Sequence, residues 1–134
     1  MKDNKAVQSM LVRNLNLEEH LAHQSTVILI NRNGMGHADP ELQTQLMQTY
    51  LRTMNESSSK PSEICFYAEG IHLVAEGSPV VYLLQLLADK GVKLTVCSTC
   101  LNFYGLTEKV AVGEKRTMVD IVDAQIQADK VITL

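Results

Sequence analysis

The chain contains no run of basic residues: twelve Lys and Arg stand against fifteen Asp and Glu, for a formal net charge of −3. Binders of nucleic acid or anionic membranes present a positive stripe, so neither activity is expected. The chain also lacks any uninterrupted apolar segment approaching the ~20 residues that span a bilayer. No compact apolar stretch follows Met1-Lys2-Asp3-Asn4-Lys5, which argues against a secretory signal. Cysteine is scarce and odd in number, with three residues. Without an export signal these thiols are expected to be reduced and the protein cytoplasmic. Tryptophan is absent, and four Tyr and two Phe are the only aromatics. What remains is an ordinary globular composition, 46% hydrophobic over 134 residues. Such a length suits one domain and buries a core without disulfide or structural metal.

Residues 1–25 are polar and mixed, with an apolar patch (Ala6, Val7, Met10, Leu11, Val12). They read as a leader or linker carrying a helical turn or two, and the domain proper as 26–134. Thr26-Val27-Ile28-Leu29-Ile30 is the continuous apolar run of a strand buried on both faces. Asp39-Pro40-Glu41 opens a helix with a carboxylate cap and proline at its first position. Leu42, Leu46, Met47, Tyr50, Leu51 and Met54 form its stripe. Further strands are expected over 63–68, 92–96 and 130–134. The segment 71–74 is either a short strand or a helical turn. Ser78-Pro79 opens a second helix, a short helical piece follows over 101–106, and Thr117 caps a last one with Met118, Ile121, Val122 and Ile126 as its stripe. Strands alternating with helices give a mainly parallel open α/β sheet of about five strands with helices on both faces, layered as in flavodoxin and Rossmann folds.

In such sheets ligands bind beyond the carboxyl ends of the strands. Three segments end there: the loop 31–37, the turn Ala68-Glu69-Gly70, and Cys97-Ser98-Thr99-Cys100. Cys97 closes a strand and Cys100 begins a helical turn, where backbone amides stabilise a thiolate. Asn33, Gly34, Gly36, His37 and Glu69 are the expected substrate-side residues around that pair. No proline follows Pro79, so the cis-proline that faces a thioredoxin-type motif is missing. Phe103 and Leu106 stand where a phosphatase loop would place arginine. A zinc site needs about four ligands and would have to recruit His37 and His72 from distant loops, so no metal is expected. Gly34-x-Gly36 has Asp39 at the third glycine position of a dinucleotide fingerprint, where it repels a pyrophosphate, and no cofactor is expected. Cys65 alternates within a strand and reads as core, and Lys115 with Arg116 as solvated surface.

The run Val96-Cys97-Ser98-Thr99-Cys100-Leu101-Asn102-Phe103-Tyr104-Gly105-Leu106 resembles the C-G-T-C-L-[ND]-F-[FY]-G-L signature of DsrE-like proteins. The branch is the one found as the C-terminal half of YedF-type sulfurtransferase-like proteins. Gly34-Met35-Gly36, Ala75-Glu76-Gly77-Ser78-Pro79-Val80, Val112-Gly113-Glu114 and Met118-Val119-Asp120-Ile121-Val122 extend the likeness over about 26–134. The resemblance implies a parallel α/β sheet in trimers or hexamers, and a role in intracellular sulfur relay. Cys97 would accept sulfur as a persulfide in a sulfurtransferase-like reaction, with Cys100 as resolving or second carrier thiol. Ser98 replaces the usual glycine, and 1–25 hold neither the cysteine nor the prolines of a TusA-like C-P-x-P motif. Donor and acceptor, with TusA-like proteins the candidates the resemblance offers, are therefore expected to be other proteins. Two further readings stand beside this one: a non-catalytic oligomeric binding or regulatory module with redox-sensitive thiols, and a dithiol–disulfide oxidoreductase.

Overall fold

The computed structural model describes residues 4–11 and 24–134. Residues 4–11 are helical and exposed; most of the remaining leader, including His20 and His23, lies outside the described residues. The domain then runs β1 (Thr26–Ile30), α1 (Pro40–Glu56), β2 (Glu63–Phe66), a 3-10 segment (Ala68–Val74) and α2 (Val81–Asp89). It continues with β3 (Lys93–Cys97), α3 (Ser98–Phe103), a 3-10 turn (Thr107–Lys109), β4 (Glu114–Arg116), α4 (Met118–Gln127) and β5 (Lys130–Thr133). The five strands are parallel in the order β4-β3-β2-β1-β5.

This order follows from patterning. β1 and β2 are interior strands, and from its second residue onward each is buried and almost wholly apolar. The two edges go to the more exposed segments: the charged Glu114-Lys115-Arg116 on one side and the half-polar Lys130-Val131-Ile132-Thr133 on the other. Charged edge residues discourage pairing with another chain's strand. β4 carries no apolar residue, which is why no strand was expected over 114–116; its register with β3 defines it, Thr95 opposite Glu114 and Cys97 opposite Arg116. The ambiguous 71–74 belong to the 3-10 segment, where Ile71, Leu73 and Val74 are buried.

The two sheet faces are covered unequally. α1, α2 and the 3-10 segment pack on Ile28, Ile30, Ile64, Phe66, Leu94 and Val96. Each such side chain, fully buried, contributes about 1.5–3 kcal/mol. Asn55 is the buried polar group between α1 and α2, and its amide donates to the carbonyls of Leu51 (3.1 Å) and Leu83 (3.0 Å). Those bonds remove the cost of burying it. The stripe of α1 is only partly core: Met47, Leu51 and Met54 are buried, whereas Leu42 and Leu46 are exposed. Leu46 and Tyr50 border a groove of about 570 Å³ that reaches Ile132 at the β5 edge. Asp39 occupies the N-cap position, but its side chain makes no capping hydrogen bond.

On the opposite face, α4 carries the chain from β4 back across the sheet to β5. Its start is a capping box, with the Asp120 carboxylate accepting from the Thr117 amide (3.1 Å) and hydroxyl (3.2 Å). Ile121 packs against Val27, Leu29, Cys65 and Cys97. The rest of the expected stripe faces outward, with Met118 at 46%, Val122 at 46% and Ile126 at 79% exposure. Helical periodicity establishes that these residues share a side, not that this side meets the sheet. Among the described residues, no helix is long and apolar enough to cross a membrane.

Candidate functional site

Cys97 ends β3 and is fully buried, while Cys100, one turn into α3, is partly exposed. The Cys100 thiol points at the Cys97 sulfur across 3.1 Å. A second contact comes from a different element: the Ala68 amide donates to the Cys100 sulfur at 3.1 Å. Ala68 holds φ at +49°, a left-handed conformation that costs a residue with Cβ roughly 1 kcal/mol.

The turn that holds Ala68 is fastened to the end of β1. The Tyr67 amide donates to the Ile30 carbonyl (3.1 Å), and the Gly70 amide to the Tyr67 carbonyl (2.9 Å). Gly70 lies so close to β1 that a Cβ there would sit 2.1 Å from the Ile30 carbonyl oxygen. The requirement is space, not backbone freedom. Glu69, the expected site residue of this turn, is exposed.

The strand registers assemble a row. Ile30, Phe66, Val96 and Lys115 are successive partners across β1 to β4, and Cys97 is paired with Arg116. One residue beyond Ile30 and Phe66 come Asn31 and Tyr67, so Asn31, Tyr67, Cys97 and Arg116 share one sheet face. The Asn31 side-chain amide donates to the Tyr67 hydroxyl at 3.1 Å, and Tyr67 packs on the cluster that contains Cys97. Tyr67, Asn31 and Arg116 were not singled out as site residues from the sequence. Asn31 and Tyr67 follow strands that are legible in the sequence, whereas Arg116 ends a strand that is not, and only the register shows which strand ends are neighbours.

The other expected residues lie elsewhere in the loops. The Gly36 carbonyl accepts from Arg32 (3.1 Å) and Gln43 (3.2 Å), tying the β1–α1 loop to α1. Gly34 lies against α1, where a Cβ would come within 2.7 Å of the Gln43 Cβ. His37 is exposed. Asn33 lines a polar cavity of about 280 Å³ with His72, Glu76, Ser78 and Leu106. His72 meets Tyr104 edge to face at 4.8 Å. Among the described residues no three His, Cys, Asp or Glu gather as a metal site.

The thiols differ electrostatically. Burial pushes the Cys100 thiol up, its hydrogen bond to Cys97 adds to this, and the Ala68 amide opposes it. The first two effects favour the protonated form of Cys100, whose S–H is directed at the Cys97 sulfur. Burial and then the neighbouring Glu63 carboxylate push Cys65 up to about 12. That carboxylate also accepts from Thr95 (2.7 Å) and Cys65 (3.5 Å). With its pKa about 12, roughly one Cys65 in ten thousand is thiolate at pH 8. Iodoacetamide at that pH is expected to spare Cys65 in the folded protein and to label it once denaturant is added; labelling of Cys65 in the native chain would contradict its placement. The sign for stability follows: the contribution is intact below the ordinary thiol pKa and is lost as pH rises toward about 12.

A parallel sheet stepping from β1 to β4 and crossing back to β5, with a thiol pair at the carboxyl end of β3, defines the class as an open α/β protein with a strand-end C-x-x-C site. Residues 24–134 match the DsrE/DsrF-like family, and the chain belongs to it. Several solved structures share the fold, among them the following three. The ychN protein of E. coli has a TM-score of 0.63 at 19% identity, covering 83% of this chain and 99% of its own. MTH1491 of Methanobacterium thermoautotrophicum, a protein of unknown function, has 0.62 at 21%, with coverages of 83% and 99%. BT1422 of Bacteroides thetaiotaomicron has 0.60 at 11%, with 82% and 95%. No curated protein gives a match.

Proposed function

We propose that this protein carries sulfane sulfur as a cysteine persulfide, receiving it at Cys100 and holding it at Cys97. The observation that supports this reading most is the pair itself: two thiols 3.1 Å apart, one reachable and one buried. As a monoanion the pair shares one proton. When Cys97 takes that proton, the Cys100 thiolate attacks the outer sulfur of a donor persulfide; the donor's S–S bond breaks and the donor leaves as a thiolate. Cys97 then takes the outer sulfur from Cys100 and returns the proton to it, leaving a persulfide on the buried residue and a thiol on the exposed one. Release runs outward to an acceptor thiolate. Alternatively, Cys100 attacks the inner sulfur, giving a Cys97–Cys100 disulfide and hydrosulfide. No external oxidant enters any of these steps.

Donor and acceptor would be other proteins, with TusA-like carriers the class that the family resemblance implies. The outward stripe of α4 supports association into the trimers or hexamers of related proteins, since contiguous apolar surface marks interaction sites. The test is mass spectrometry after incubation with a persulfide donor. A 32-Da adduct (about one sulfur atom) on the Cys97 or Cys100 peptide is expected, and its absence while both thiols remain alkylatable would sink the proposal. The sulfur separation also suits a dithiol–disulfide oxidoreductase, which would reduce insulin where a carrier would not. The raised Cys100 thiol suits a non-catalytic module, which would take up no sulfur at all.

A further inference from the structure

Among the described residues, one buried side-chain polar atom has no hydrogen-bond partner: Nε of Arg116. Buried donors are almost always satisfied, and an orphan calls for a physical explanation. Its position is informative, because Arg116 is the residue of β4 in register with Cys97. In a parallel ladder, partnered residues point to the same face from strands ~4.8 Å apart. The orphaned N–H therefore belongs to the residue beside the buried thiol. The far end of the guanidinium is engaged by Glu114, on its own strand and 67% exposed. That exposure makes the pair weak and exchangeable.

We propose that Arg116 is reserved for the anionic state of Cys97, its Nε–H stabilising the thiolate and then the terminal sulfur of the persulfide. This deepens the carrier reading and rests on it for the persulfide half only. Beside the Cys97 thiol the Nε–H has no partner, whereas a negatively charged sulfur draws the guanidinium into a charge-assisted bond. Guanidinium suits the task because it stays protonated at every working pH and offers donors along a fixed edge. The other groups facing this point are few. Asp120 at the start of α4 has its carboxyl held low chiefly by the Thr117 amide, with the Arg116 charge contributing. Cys100 and Tyr67 complete the surroundings, and Glu63 and Lys93 lie further down the same sheet face. Arg116 is the nearest cation in the sheet, by register, to the thiol pair.

The carboxylate of Glu114 competes for the same guanidinium, and this separates an electrostatic role from a structural one. In a Cys100→Ser background, ultraviolet thiolate absorbance against pH reports Cys97, since Cys65 is silent until strongly alkaline pH. Arg116→Met is expected to raise the Cys97 midpoint so that about tenfold less thiolate is present at neutral pH, with Arg116→Lys in between. Glu114→Gln is expected to move it the opposite way. A general loosening of the edge would not produce opposite signs from the two variants. The proposal is overturned if Arg116→Met leaves the titration unchanged, or if Glu114→Gln shifts it the same way as Arg116→Met. Sulfur loading of the unmodified protein is scored separately. Loading with no Arg116 effect removes this proposal and keeps the carrier; an Arg116 effect without loading removes the carrier and keeps Arg116 as a thiolate partner.

Discussion

Gly70→Ala is expected to destabilise the domain by about 3 kcal/mol or more and to lower Tm by roughly 10 °C. The added Cβ would lie 2.1 Å from the Ile30 oxygen, 2.8 Å from the Ile30 carbonyl carbon and 3.2 Å from the Asn31 nitrogen. All three are backbone atoms of a buried strand end, so no side chain can swing aside. The turn has to lift away from β1, stretching the Tyr67 amide bond to Ile30 and withdrawing the Ala68 amide from Cys100. Stability and site geometry are thereby coupled through one residue. Gly77→Ala is the control, since Gly77 has a φ of +89° and nothing within 4 Å of the position a Cβ would take. Its cost is conformational only, about 1 kcal/mol. Thermal unfolding of the two variants side by side decides the matter: equal losses would mean that contact with β1 is not what position 70 requires.

Cys100→Ser is expected to slow sulfur loading of Cys97 by about 100-fold. With Cys97 fully buried, a donor without Cys100 has to wait for a local opening. An opening free energy of about 3 kcal/mol corresponds to that factor. Cys97→Ser should show the reverse pattern. Cys100 remains reachable and still accepts sulfur, but loses its partner base and the buried holding position, so the adduct turns over rapidly in the presence of free thiol. Quenched-flow alkylation followed by peptide mass measurement distinguishes the two. Loading of Cys97 at the parental rate in Cys100→Ser would show that the donor reaches the buried thiol directly and that the proposed order of transfer is wrong.

Much of this was legible in the chain, for reasons that can be named. The apolar run of β1 reports a buried strand, the stripe of α1 reports a helix through its periodicity, and Pro40 marks a helix start by its fixed φ. Cys97 and Cys100 were legible because their spacing spans the junction of β3 and α3. β4 was not, since its three charged residues pair with β3 and bury little. The outward direction of the α4 stripe was not legible either, because an interaction face and a core face have the same period. Glu69 drew notice as the acid of its turn, yet its neighbours Ala68 and Gly70 make the contacts with Cys100 and β1.

Local sequence therefore specified the alternation of strands and helices, the parallel sheet it requires, and the thiol pair at a strand end, because each depends on residues a few positions apart. Folding alone brought Asn31, Tyr67, Cys97 and Arg116 into one row, buried Cys97 beneath Cys100, and aimed the Ala68 amide at Cys100. These relations join segments more than thirty residues apart in the case of Ala68 and Cys100, and they depend on register. A one-residue slip in any strand would turn its members of the row to the opposite face.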